Sequence, residues 1–167
     1  MDFQKELIAE FDREAAATRK MLAAIPADAD FTYKPHPKSM SLGHLAGHVS
    51  DTAGEWSKAI LTTDKMELAA DHKFEPYVPA STEALLERFD KQVAEMKAVL
   101  AKFTPEKWVE HWKFTFGGQT YIDEPKHKAF RIWGLNHLIH HRAQLGVYLR
   151  LLDKPIPGMY GPSSDEM

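Results

Sequence analysis

The sequence predicts an all-α protein, a four-helix bundle with a short hairpin or irregular loop before the last helix. Three observations carry that expectation. Four long stretches place apolar residues at three- and four-residue steps, the spacing that gives a helix one apolar face. The connections between them are polar and hold prolines, which a helix interior does not accept. Helices with one apolar stripe each bury it best against one another, and four of them close a bundle.

The first helix is expected from about Phe3 to Ile25, with Phe3, Leu7, Phe11, Thr18, Met21, Leu22 and Ile25 as its stripe and Pro26 as its stop. Pro35 and Pro37 make the next connection an extended loop. The second helix begins at Ser39 or Ser41, either of which can cap free backbone amides, and carries Leu42, Leu45, Val49, Thr52, Trp56 and Ile60. A polar connection from about Thr62 to Ala80 follows. Ser81 opens the third helix, with Glu83 and Glu87 near the positive end of its dipole, and Thr104-Pro105-Glu106 closes it. From Trp108 to Ile122, aromatic and β-branched residues around Gly117-Gly118 indicate a hairpin or an irregular loop. The fourth helix runs from about Pro125 or Lys126 to Leu152. The proline- and glycine-containing tail after Pro155 is non-helical and is expected to pack over the bundle end. The long connections leave room for crossovers in place of simple up-down hairpins.

Composition bounds the function. A chain of 167 residues with 44% hydrophobic and 27% charged residues is expected to form a single domain over 1–167. Lys and Arg total 21 against 24 Asp and Glu, and no basic block stands out, so nucleic acid is not an expected partner. No apolar run suits a bilayer, so no membrane is expected. The charged start, Met1-Asp2-Phe3-Gln4-Lys5-Glu6, is unlike a signal peptide, and the expected location is the cytoplasm. There is no cysteine. Any tight metal site must therefore use His and carboxylates, and any thiol nucleophile must come from outside the chain.

The histidines are the feature with chemistry in it. His137 and His141 are four residues apart in a helical stretch, and so are His44 and His48. Residues i and i+4 share a helix face, where two imidazoles can chelate one divalent ion. A bundle can bring two such faces together. Three histidine ligands with a position left open are the pattern of a catalytic metal. Spacing alone leaves His44 and His48 as alternatives for the third ligand. His140 lies on another face, and His36, His72, His111 and His127 are isolated in sequence.

Three segments resemble the DinB/YfiT-like family, in the right order and across essentially the whole chain. Ser39-Met40-Ser41-Leu42-Gly43-His44-Leu45-Ala46-Gly47-His48 is similar to the start of that family's second helix. His137-Leu138-Ile139-His140-His141-Arg142-Ala143-Gln144-Leu145 is similar to its H-x-x-x-H-R-x-Q signature, with Ala143 where Gly is usual. Ile156-Pro157-Gly158-Met159-Tyr160-Gly161-Pro162-Ser163-Ser164-Asp165-Glu166 is similar to its tail, and Tyr33-Lys34-Pro35 also fits. The resemblance implies an up-down-down-up bundle, often a homodimer, holding one divalent ion, zinc or nickel, on His48, His137 and His141. His44 then has a supporting role at most. Characterised relatives include thiol-dependent transferases and isomerases. The resemblance therefore implies an S-transferase-type reaction between a low-molecular-weight thiol and a small electrophile. A metal-dependent hydrolase and a non-enzymatic metal- or ligand-binding stress-response bundle are the alternatives.

Around these ligands, Asp51 and Glu55 lie near the face of His48, where either could accept the other imidazole N–H. Arg142 could bind a carboxylate or form a salt bridge within the bundle, and the second is the favoured expectation. Gln144 could orient a ligand or cap a buried group. Trp56, Trp112, Phe114, Phe116 and Tyr160 are candidates to line an apolar cavity or to pack the core.

Overall fold

A computed structural model describes residues 3–167. The first helix, α1, spans Phe3–Ala23 and buries Leu7, Phe11, Thr18, Met21 and Leu22 of the predicted stripe; Phe3 at its start is exposed, and Ile25 is buried just beyond its end. The second is a continuous rod of three parts: α2 (Leu42–Asp51), a π-helical turn (Thr52–Trp56) and α3 (Ser57–Thr62). Of the two serines that could start it, Ser41 is the cap, its hydroxyl accepting from the His44 amide at 3.1 Å. The third, α4 (Thr82–Leu100), is capped by Ser81, whose hydroxyl accepts from the Ala84 amide at 3.1 Å. Pro105 ends no helix. It begins a short one, α5 (Pro105–Val109), at the first-turn position proline tolerates. The fourth rod joins α6 (Lys126–Ala129), a second π-helical turn (Phe130–Asn136) and α7 (His137–Leu151).

The expectation of an all-α chain is corrected by a three-stranded sheet. Strands β2 (His111–Phe116) and β3 (Gln119–Pro125) form the hairpin around Gly117 and Gly118, both at positive φ. Strand β1 (Lys65–Leu68) then adds parallel to β2, pairing Lys65 with Lys113 and Met66 with Phe114. A two-stranded hairpin is marginal alone, and a third strand together with a buried face stabilises it. Trp112, Phe114 and Ile122 supply that face. The segment Lys-Met-Glu-Leu in β1 alternates polar and apolar residues over only four positions, and Lys and Glu are poor strand formers. Its strand character comes from the edge of β2.

Cross-helix pairs give the helix directions. Gln4 donates to the Phe103 carbonyl and Arg19 pairs with Asp90, so α1 and α4 run antiparallel. Asp51 pairs with Arg88 and Lys58 with Glu95, so the second rod runs parallel to α4. Glu10 pairs with Arg131 and Glu14 with Arg142, so the fourth rod runs parallel to α1. The order is up-down-down-up. Two consecutive parallel helices need a connection that travels back along the bundle, which explains why residues 63–81 are long. That connection forms β1 and then an extended strap across α2. The strap lies so close that a Cβ on Gly47 would stand 1.9 Å from the Tyr77 carbonyl oxygen, and one on Gly43 2.8 Å from Val78.

The tail folds back as expected. Asp165 pairs with Arg150, and Glu166 accepts from Lys20 and from the Gly158 amide. No helix among the described residues is long and apolar enough to cross a membrane.

Candidate metal centre

His48 comes from the last turn of α2, and His137 and His141 from the first two turns of α7. Their rods pack side by side, and the three Nε2 atoms converge. His48 Nε2 is 3.3 Å from His137 Nε2, which is 2.7 Å from His141 Nε2. All three donor atoms lie within 4.8 Å of one another. Ring centroids of His48 and His141 are 4.5 Å apart, with planes at 80°. Three lone pairs aimed at one point repel one another unless a proton or a cation lies between them.

The surroundings keep the rings neutral. Burial, with the neighbouring imidazoles adding to it, pushes His48 and His137 down to about 4 from 6.5. Burial also lowers His141, while its hydrogen bond to Gln144 pulls the other way. Neutral imidazole is the form that ligates a metal. His141 Nδ1–H donates to Gln144 Oε1 at 2.8 Å, which fixes the tautomer and leaves Nε2 free as a donor atom. The residues present therefore fit a divalent ion held by three histidines. Of the two upstream histidines, the fold brings in His48 and leaves His44 at the cavity wall.

A cavity of about 440 Å³ opens beside the imidazoles. Five aromatic side chains line it: Trp56, Trp133, Phe114, Phe74 and Tyr77. Each π-helical turn contributes one tryptophan, their centroids 6.4 Å apart, and Phe114 packs edge-on against both. A π-turn adds one residue to a helical turn and shifts the register of the residues after it, a device found frequently at functional sites. One π-turn of this chain directly follows the helix carrying His48, and the other directly precedes His137. A second cavity, of about 360 Å³, reaches His141 and Gln144 from the side of Lys38, Ser39 and Tyr148.

The structure resolves several expectations drawn from the sequence. Asp51 does not hold His48; its Oδ1 accepts from Arg88 at 2.7 Å and Gln92 at 3.1 Å. Glu55 is exposed and pairs with Lys58. Arg142 is buried and paired inside the bundle. Its Nη2 is 2.8 Å from Glu14 Oε2 and donates to the Tyr160 hydroxyl at 2.6 Å, while that hydroxyl donates to Glu14 at 2.8 Å. Tyr160 thus belongs to the tail anchor, and Trp112 to the core. Phe116 lies outside the cavity wall, stacked on Phe74. His140 is exposed. His36, His111 and His127 take local partners, and His72 rests on Phe74. Sequence reasoning missed Trp133, although it stands four residues before His137 on the same helix face. It also missed Glu14, a lone carboxylate within the apolar stripe of α1.

A family model described as the DinB family matches residues 1–167. The uncharacterized protein YrdA of Bacillus subtilis (strain 168) is 26% identical over 157 residues, covering 92% of this chain and 85% of YrdA. Among solved structures, a DinB-like protein from Bacillus cereus ATCC 10987 is 25% identical with a TM-score of 0.64, covering 89% of this chain and 92% of that one. The DinB-like protein YjoA of B. subtilis has a TM-score of 0.65 at 18% identity, covering 92% and 97%. YfiT from B. subtilis has a TM-score of 0.55 at 15% identity, covering 88% and 87%, and is described as a probable metal-dependent hydrolase with an unusual four-helix bundle topology.

Proposed function

This chain belongs to the DinB family, and we propose that it is a metal-dependent hydrolase of a small molecule, its one divalent ion, zinc or nickel, held by His48, His137 and His141. The observation that carries this reading is the convergence of three neutral Nε2 atoms beside a cavity large enough for a small molecule. A divalent ion held by these three histidines would supply a Lewis acid, able to polarise a substrate carbonyl and to lower the pKa of a nucleophile. The protein's own part is to hold the imidazoles neutral, to orient His141 through Gln144, and to wall the substrate with aromatic rings. His44 lines the same cavity and is the available proton acceptor for water. The description of YfiT supports the hydrolytic choice.

A second reading, S-transfer from a low-molecular-weight thiol to a small electrophile, is favoured by a different observation. Among the described residues, no carboxylate hydrogen-bonds to the three imidazoles, and a thiol needs less help than water to lose its proton. Elemental analysis of untagged wild type beside His141→Ala tests the common premise. About one ion per chain, lost in the variant, is the expected result; wild type that takes up none after incubation overturns both readings. Turnover of an ester and amide panel without thiol then selects hydrolysis, and turnover only with added thiol selects transfer. A metal-loaded protein inert in both assays leaves a non-enzymatic binding bundle.

A further inference from the structure

We propose that the aromatic cavity beside the three imidazoles receives a cationic amine or quaternary ammonium group. The substrate of the site proposed above, on which this assignment of substrate class rests, then has a cationic head and a neutral electrophilic end. Five aromatic rings form the wall, delivered by four separate parts of the chain: the two π-turns, β2 and the strap. Aromatic faces attract a cation through the ring quadrupole, most strongly for tryptophan. Two carboxylates, Asp51 and Glu75, complete the lining, and neither lysine nor arginine is among the residues that form it.

The wall already holds one cation in this manner. The Arg88 guanidinium stands 4.4 Å above the centroid of Tyr77 while donating to Asp51 at 2.7 Å. That pair satisfies Asp51. Glu75 makes no ion pair among the described residues, so its charge is the one left to face a ligand. An anionic head entering this cavity would meet a carboxylate and the negative faces of rings. A neutral head would gain only its buried area. A trimethylammonium group gains area, ring attraction and the Glu75 charge together.

Calorimetric titration with three molecules of like shape reads this directly: choline, the uncharged 3,3-dimethylbutan-1-ol and the anionic 3,3-dimethylbutanoate. Each is titrated into metal-stripped and zinc-loaded full-length protein. Choline is expected to bind about tenfold more tightly than the alcohol in both forms. The carboxylate is expected to bind weakest to the stripped form. Glu75→Gln and Phe74→Leu change exposed positions that the fold does not need. Glu75→Gln should weaken choline several-fold and leave the alcohol unchanged, whereas Phe74→Leu should weaken choline by more than it weakens the alcohol. Equal affinity for choline and the alcohol, or preference of the stripped form for the carboxylate, would overturn the proposal, as would no detectable choline binding. Because the stripped protein is titrated, this result stands apart from the metal centre. Failed choline binding with normal metal content sinks the substrate class alone, and absent metal with normal choline binding sinks the hydrolase reading alone.

Discussion

His141 shows how one side chain depends on its neighbours. Its Nδ1–H donates to Gln144, and that bond decides which nitrogen faces His48 and His137. Gln144→Leu is expected to weaken zinc binding by about 10–100-fold, because the ring loses its fixed tautomer and orientation. Competition against a chelating dye measures it, with the exposed His140→Ala as the control that stays at wild type. His48→Ala, His137→Ala and His141→Ala should each abolish stoichiometric binding. The pH dependence comes from the lowered His48 and His137, whose folded value is about 4 against 6.5. Above 6.5 the rings are neutral in both folded and unfolded chains and add no slope. Between 6.5 and about 4 the unfolded chain takes up protons that the folded chain refuses, so the metal-free protein loses stability as pH falls through that window. Urea melts of stripped protein at about pH 7.5 and about pH 5 should show the loss, and His48→Ala should show less of it.

At the scale of elements, the strap depends on Gly43 and Gly47. A Cβ at Gly47 would fall 1.9 Å from the Tyr77 carbonyl, a backbone atom held by its own chain. Gly47→Ala should therefore destabilise the fold by about 1–3 kcal/mol, or displace the strap and with it the Phe74 and Tyr77 wall. Chemical denaturation reads the first outcome and choline titration the second. The i, i+4 glycines were visible in the sequence beside His44 and His48, but what they make room for was not. Likewise the hairpin was legible, beside an irregular loop, from the β-type residues Phe114-Thr115-Phe116 and Thr120-Tyr121 flanking two glycines. Strand β1 was not, because its pairing partner lies 48 residues downstream (Lys65 with Lys113) and two of its four residues, Lys65 and Glu67, are poor strand formers. The π-turns carry no sequence signal. Their residues continue the helical stripe, and only the insertion of one extra residue per turn marks them.

Across the whole molecule, the Glu14, Arg142 and Tyr160 group ties α1, α7 and the tail into one unit next to a metal-ligand candidate. Arg142 and Glu14 have side chains 2% and 4% exposed. Removing one partner strands the other, so Arg142→Met should cost about 3–5 kcal/mol. Glu14→Leu combined with Arg142→Met should cost less than the sum of the two singles, since neither charge is then left unpaired. Thermal denaturation of the four proteins closes that cycle.

The sequence by itself determined the four helical stripes, the cap at Ser81 and a pair of serines for the other, a glycine turn segment before the last helix and a histidine set that could meet on one ion. These are properties of local spacing, and local spacing is written in consecutive residues. The tertiary structure decided which upstream histidine faces α7, that Asp51 serves Arg88 and leaves His48 alone, and that a strand joins the helices. It also assembled a cavity wall from four distant segments. Each of these depends on which surfaces meet after the chain has crossed back over itself, and no spacing along one helix encodes that meeting.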